Sequence, residues 1–222
     1  MDSQKFVDSL VSEIIQPGVK RLMETRYFSE LREGKLSVKR LQGFALQHYL
    51  HNVSINKGFA LCMVKNAHIP DLYDHFEHQF IEEGPHPDLA KRFGLSLGLN
   101  EEDFKHIHPV FECLAHTSAV LRGMLLGAAG ENRAGALVNE TMVCRYSEEF
   151  NTYLHKHYRM SDEDCLFFSV HAVADVEHTK LNAEVIARYA KSDHEQEAAR
   201  VCAVNMVRFK IAKFDGIYEA YA

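Results

Sequence analysis

Three polar residues on one otherwise apolar helix face are the first sign of chemistry in this chain. His171, Asp175 and His178 stand at i, i+4 and i+7 of a stretch whose apolar stripe includes Phe168, Ala172 and Leu181. At 100° per residue the three fall within about 60° of one another, so one face presents two imidazoles and a carboxylate. Such a face has metal-ligand chemistry, and Ala172 and Ala174 beside it leave room for something to be bound. Alone, H-x3-D-x2-H describes the solvated face of a His-rich helix equally well, so its meaning depends on partners.

Glu140 is one partner. It lies in the mostly apolar stretch 134–143, with Ala136, Val143 and Cys144 at helical neighbour positions, where a carboxylate is costly unless paired or bound to metal. Glu148 and Glu149, in the polar run Ser147 to Asn151, read as surface charge. Further upstream, Leu72, Phe76 and Phe80 define a stripe that Glu83 continues, with Glu82 pointing elsewhere. Glu83 and His86 then stand in the E-x-x-H relation used by carboxylate-bridged di-iron proteins, although Gly84-Pro85 interrupts the helix between them. Glu82, at i−4 from His86, is the substitute ligand. His75 and His78 are expected to be exposed.

Together these segments offer three nitrogen and three oxygen donors. That mixture suits iron, or manganese, better than a closed tetrahedral zinc site. Zinc-protease chemistry is unsupported, because His194-Glu195 has no second histidine four residues on. The five cysteines are odd in number, widely spaced and free of C-x-x-C, which fits a reducing cytoplasm.

The elements that must position these donors are helices. Apolar spacing of i, i+3, i+4 recurs from end to end while strand signals are nearly absent, so the class is all-α, a compact helical bundle. Pro17-Gly18 is expected to interrupt the first helix, and a second runs from Leu22 to Leu31. Ser37 caps a long third, Pro70 opens a fourth reaching Gly84, and a further helix ends near Gly98. Asn100 is expected to start the next segment and Pro109 a more apolar helix that dissolves over 127–130. Three longer helices finish the chain, over 132–157, from Ser161 to Ala190, and from the S-x-x-E box at Ser192 and Glu195.

With 222 residues and no Pro/Gly/Ser-rich break, one domain over 1–222 is expected. Residues 1–16 carry acidic residues and helical periodicity in place of an export or membrane segment. A net charge of −6 gives no footprint for nucleic acid. Fourteen histidines are about two to three times ordinary usage.

The segments RYFSELREGKLSVKRLQGFALQHYLH, EEGPHPDLAKRFGLSLGL and, most sharply, HAVADVEH resemble the haem-oxygenase-like helical proteins related to TenA, PqqC and the chlamydial death-domain-associating protein. The metal-dependent branch of that superfamily carries Glu and His from one helix, a Glu from a later one and H-x3-D-x2-H from another. Carried over, those roles fall to Glu83, His86, Glu140, His171, Asp175 and His178. The resemblance implies an open-sided site for one or two irons, dioxygen as co-substrate, oxidation of a small carboxylate or amine metabolite, and a homodimer. It does not imply haem.

Two departures stand out. The Glu-to-His spacing is shorter than is usual in the family, as in the fatty-acid decarboxylase members that form terminal alkenes, unless Glu82 is the ligand. The chlamydial protein makes para-aminobenzoate from its own Tyr and a Lys past the central Glu. Here Phe150 stands near the latter and Tyr27 is offset near the former, so that self-sacrificing reaction is not expected.

A rival is the metal-free TenA or PqqC type acting on a heterocycle, in which Cys144 resembles a nucleophile but reads better as a small core residue. A protein-interaction module ranks below it. Tyr49, Tyr146, His48 and His51 are candidates for the pocket wall. Met124, Leu125, Leu126 and Phe167 are candidates for an apolar tunnel.

Overall fold

The computed structural model describes residues 2–222; the side chains of residues 173–177 lie outside that description. The described residues form α1 (Ser3–Leu10), a π-helical turn (Val11–Ile15), α2 (Gln16–Met23), α3 (Arg26–Glu33), α4 (Val38–Lys65), α5 (Pro70–Glu83) and α6 (His86–Ser96), followed by α7 (Phe111–Leu126), α8 (Ala129–Tyr158), α9 (Leu166–Tyr189) and α10 (Asp193–Ala220). Among them there is no strand, and no helix is long and apolar enough to cross a membrane.

Pro17-Gly18 does not interrupt the first helix. The path runs unbroken from Ser3 to Met23, because the wide π turn at Val11–Ile15 precedes Pro17 and the proline falls in the first turn of α2, where its missing N–H matters least. Gly18 is where α2 meets α10: a Cβ there would stand 2.7 Å from Val207 Cγ1. Two other expected starts move. The segment at Asn100 is a turn, held by Asn100 Oδ1 accepting from the Glu102 and Asp103 amides. The helix expected from Ser161 begins at Leu166, with Ser161 and Asp164 capping the turn before it.

Helices α8 and α9 make the most extensive pair, with α10 laid against α8 and α7, while α4 packs on α5, α6 and α7. Between these layers lies an aromatic core in which Phe28, Phe44, Phe150, Phe168 and Phe214 are fully buried. Phe150 stacks on Phe168 at 4.3 Å, and Tyr27 meets Phe214 edge-on at 5.2 Å. Rings of this size, each buried, supply rigidity beside the polar cavity described next.

Candidate metal centre

Five of the six donors expected from the sequence converge. Ligand atoms of Glu83, His86 and His171 lie within 4.8 Å of one another, as do those of Glu83, Glu140 and His178, so the two triplets share Glu83. Asp175 lies among the residues whose side chains are outside the description.

The local chain explains each position. Glu83 ends α5 and His86 begins α6, yet the i, i+3 geometry survives because Gly84 and Pro85 keep right-handed helical dihedrals. Proline removes a hydrogen bond here without turning the chain away. The Glu83 carboxylate touches His86 Nδ1, but that buried nitrogen has no hydrogen bond in proper alignment. With His171 the two groups make up one of the donor triplets.

His171 on α9 stacks near His86, with ring centroids 4.3 Å apart, and its Nδ1 donates to the Phe167 carbonyl at 2.6 Å. That bond fixes the tautomer and leaves Nε2 as a lone pair. Burial, helped by His86, pulls the His171 pKa down to about 3, so the ring is neutral and ready to ligate at ordinary pH. On the next turns of the same helix His178 is held differently: Nε2 donates to Glu82 Oε2 at 2.8 Å, and Nδ1 faces Glu140 Oε2 at 3.7 Å. A carboxylate behind a ligating imidazole orients it and raises its basicity. Glu82 therefore does not point elsewhere; it is half exposed and reaches His178, while Glu83 takes part in both donor triplets.

Several other expectations are corrected. Phe80 is exposed, and the buried stripe of α5 is Leu72, Phe76 and Gln79. Glu149 is buried because Arg32 and Arg145 pair with it. His75 is partly buried, accepting from Arg133 Nη1 at 3.2 Å. Leu125 and Leu126 are exposed, whereas Met124 lines the cavity. His48 and His51 also line it, but Tyr49 and Tyr146 do not. Nor do Tyr27 and Phe150, which stand in the aromatic core.

The cavity has a volume of ≈ 80 Å³ and reaches from Glu83, Glu140 and His171 past Asn139 to His48 and Lys210. Residues not singled out in the sequence complete it. Arg133 is 2% exposed and donates to Gln79 Oε1 at 2.5 Å, to Asn182 Oδ1 at 3.3 Å and to Asn132 Oδ1 at 2.6 Å, tying α8 to α5 and α9. Its burial brings even a guanidinium down to about 10. Lys210 and Lys213 on α10 are each 1% exposed. The rule that singles out Glu140, a charge inside an apolar run, applies equally to these lysines between Met206, Phe214 and Ile217.

Comparison with known proteins follows the same line. The model of the family described as iron-containing redox enzymes matches residues 42–210. A 4-aminobenzoate synthase of Chlamydia muridarum is 24% identical over 204 residues, covering 89% of this chain and 85% of that protein. One from Chlamydia pneumoniae is 26% identical over 74% of this chain and 75% of its own length. Among solved structures, a domain with a haem oxygenase-like fold from Shewanella denitrificans superposes with a TM-score of 0.84 at 15% identity, covering 100% of this chain and 94% of that one. A TenA homologue from Pseudomonas syringae also reaches 0.84, at 13% identity over 96% and 93%. At such identities these structures show the haem oxygenase-like fold alone.

Proposed function

The chain belongs to the iron-containing redox enzyme family, and on that premise we propose that it is a non-haem iron oxidase or oxygenase acting on a small metabolite that bears a carboxylate or an amine. The observation that carries this reading is the pair of donor triplets sharing Glu83. A donor set of imidazoles and carboxylates fits iron, and the buried, unbonded Nδ1 of His86 beside the Glu83 carboxylate is the kind of orphaned ligand that a cation satisfies. His86, His171 and His178 would supply nitrogens and Glu83, Glu140 and Asp175 oxygens, for one or two ions, with Glu83 suited to bridge two.

Iron, when bound, would supply the electrons and open coordination positions that dioxygen chemistry needs. The protein's own share is to hold the ligands in one protonation state and to keep the cavity narrow. The Phe167 carbonyl does the first for His171 and the Glu82 carboxylate for His178. The apolar side chains of Ile55, Phe59 and Met124 that line the cavity do the second. The relatives' name fits either group, since 4-aminobenzoate, which they make, carries both a carboxylate and an amine.

The test is metal content by mass spectrometry after anaerobic reconstitution with ferrous iron, then a stopped-flow absorbance trace on mixing with oxygen. One or two irons per chain and an oxygen-dependent transient, both lost in His171→Ala and His178→Ala, are expected. Absence of bound iron, with no change in those variants, would sink the reading.

A further inference from the structure

Next to the metal donors, one aromatic ring away, the same cavity has a second polar wall of different make. His48 lies with its ring 5.0 Å from that of Phe167, which in turn lies 4.2 Å from that of His171. Behind His48, Lys213 Nζ contacts His48 Nδ1 at 3.0 Å. An ammonium has no lone pair, so Lys213 donates and Nδ1 accepts. The neutral ring then carries its proton on Nε2. Among the described residues that Nε2–H has no hydrogen-bond partner, and His48 lines the cavity.

No carboxylate of the described residues comes within ion-pair distance of Lys213. The groups that face it are His48 and His51 from α4, Cys113 and His116 from α7, and Lys210 from its own helix, with Tyr146 of α8 beside Lys210. Burial first, and Lys213 next, hold His48 and His51 well below the usual histidine range, and burial holds the Cys113 thiol up at about 11. None of these groups carries negative charge at neutral pH. Arg133, elsewhere on the cavity, also has only neutral hydrogen-bond partners, but its Nε and Nη1 bind three helices together and so have a structural use. Lys213 has no comparable use: its single bond is to a histidine that turns its own donor toward the cavity.

A buried ammonium beside neutral groups is costly unless an anion joins it. Resting on the oxidase reading, we infer that this wall is the receptor for the substrate's carboxylate, with Lys213 supplying charge through the His48 Nε2–H. The substrate class is thereby narrowed from carboxylate or amine to carboxylate at this wall, because an amine would place a second cation beside the buried Lys213 ammonium. The rest of the molecule would extend past Phe167 to the metal donors.

The test is isothermal titration calorimetry on the full chain, both iron-loaded under anaerobic conditions and metal-free. Butyrate and benzoate are compared with butyramide, benzamide and butylamine. The acids are expected to bind both forms about tenfold or more tightly than the amides, and the amine not at all. Lys213→Met should cost the acids about tenfold or more and leave iron content unchanged. Equal affinity for acid and amide, no acid binding, or an unchanged acid affinity in Lys213→Met overturns the proposal.

Should that variant fail to fold, the wild-type pH profile reads the same charge. Burial sets Lys213 at about 8, so acid affinity should fall several-fold between about pH 7 and 9, and a flat profile overturns the receptor. A chain that binds the acids in this way yet takes up no iron breaks the oxidase reading and leaves the receptor standing. One that takes up iron and consumes oxygen without preferring acids breaks the receptor alone.

Discussion

The donor wall and the cationic wall of the cavity bury polar groups on opposite terms. On the donor wall each α9 histidine has an acceptor on one nitrogen, Phe167 O for His171 and Glu82 for His178, and the carboxylates of Glu83 and Glu140 stand in front. That set of imidazoles and carboxylates suits a cation. On the cationic wall Lys213 donates to the neutral ring of His48, and no carboxylate of the described residues pairs with it. The kind of polar group that each wall buries tells which ligand suits it.

The sharpest way to break this contrast is to cut one donor. His171→Ala should take bound iron from one or two per chain to background and abolish oxygen consumption, while circular dichroism remains that of a helical protein. If iron stays, the donor wall is not a metal site and its carboxylates need another explanation.

The cationic wall is tested by acid. His48 and His116 are buried and held well below the histidine value of 6.5, first by burial. A histidine depressed on folding stays neutral in the native protein while the unfolded chain takes up a proton below 6.5, so its stabilising contribution is present above that pH and lost as pH falls. Each group contributes up to about 1.4 kcal/mol per pH unit in that range, and the two together about 3. Urea denaturation of the metal-free chain between about pH 7.5 and 5 measures the slope. His116→Leu should make it shallower by about 1.4 kcal/mol per unit. An unchanged slope would mean that this wall is open to water.

Arg133, elsewhere on the cavity, acts as a bracket between α5, α8 and α9. Arg133→Met leaves Gln79 Oε1 and Asn182 Oδ1 without their donor, each in a fully buried residue. A loss of about 2 kcal/mol is expected, read as a drop of about 4–8 °C in Tm. Iron content of the folded fraction should fall less than in His171→Ala, since the bracket holds α5 and touches no donor.

How much of this was legible depended on whether a residue's neighbours in sequence are its neighbours in space. His171 and His178 share one helix face, and Glu140 stands out as a charge in an apolar run, so both were readable from spacing. The Glu83–His86 relation was readable in register but not across Gly84-Pro85, because nothing in the residue types says that both keep helical dihedrals. Phe80 and Glu149 depart from the expectation for a common reason. Burial there is set by partners far along the chain: Arg32 draws Glu149 inward, and no helix covers Phe80. The haem oxygenase-like fold was readable because helical period persists over the whole chain, whereas the Lys213–His48 contact joins residues 165 apart and has no local signature.

The smallest expected effect concerns the cysteines and speaks against a thiol nucleophile in this cavity. Cys144 does not line it; its thiol faces the Ala172 carbonyl at 3.6 Å, and the residue borders a separate crevice with Val11 and Thr141. Cys202 does line the cavity, but burial pushes its thiol up to about 11, which leaves almost no thiolate at neutral pH. A metal-free hydrolase that works through a thiol nucleophile would need one of these sulfurs as its attacking atom. Cys144→Ala and Cys202→Ala should therefore leave iron content and oxygen consumption within about twofold and stability within about 1 kcal/mol, as expected of small partly buried side chains. Loss of turnover in either variant, with iron still bound, would transfer the chemistry from the donor wall to a thiol.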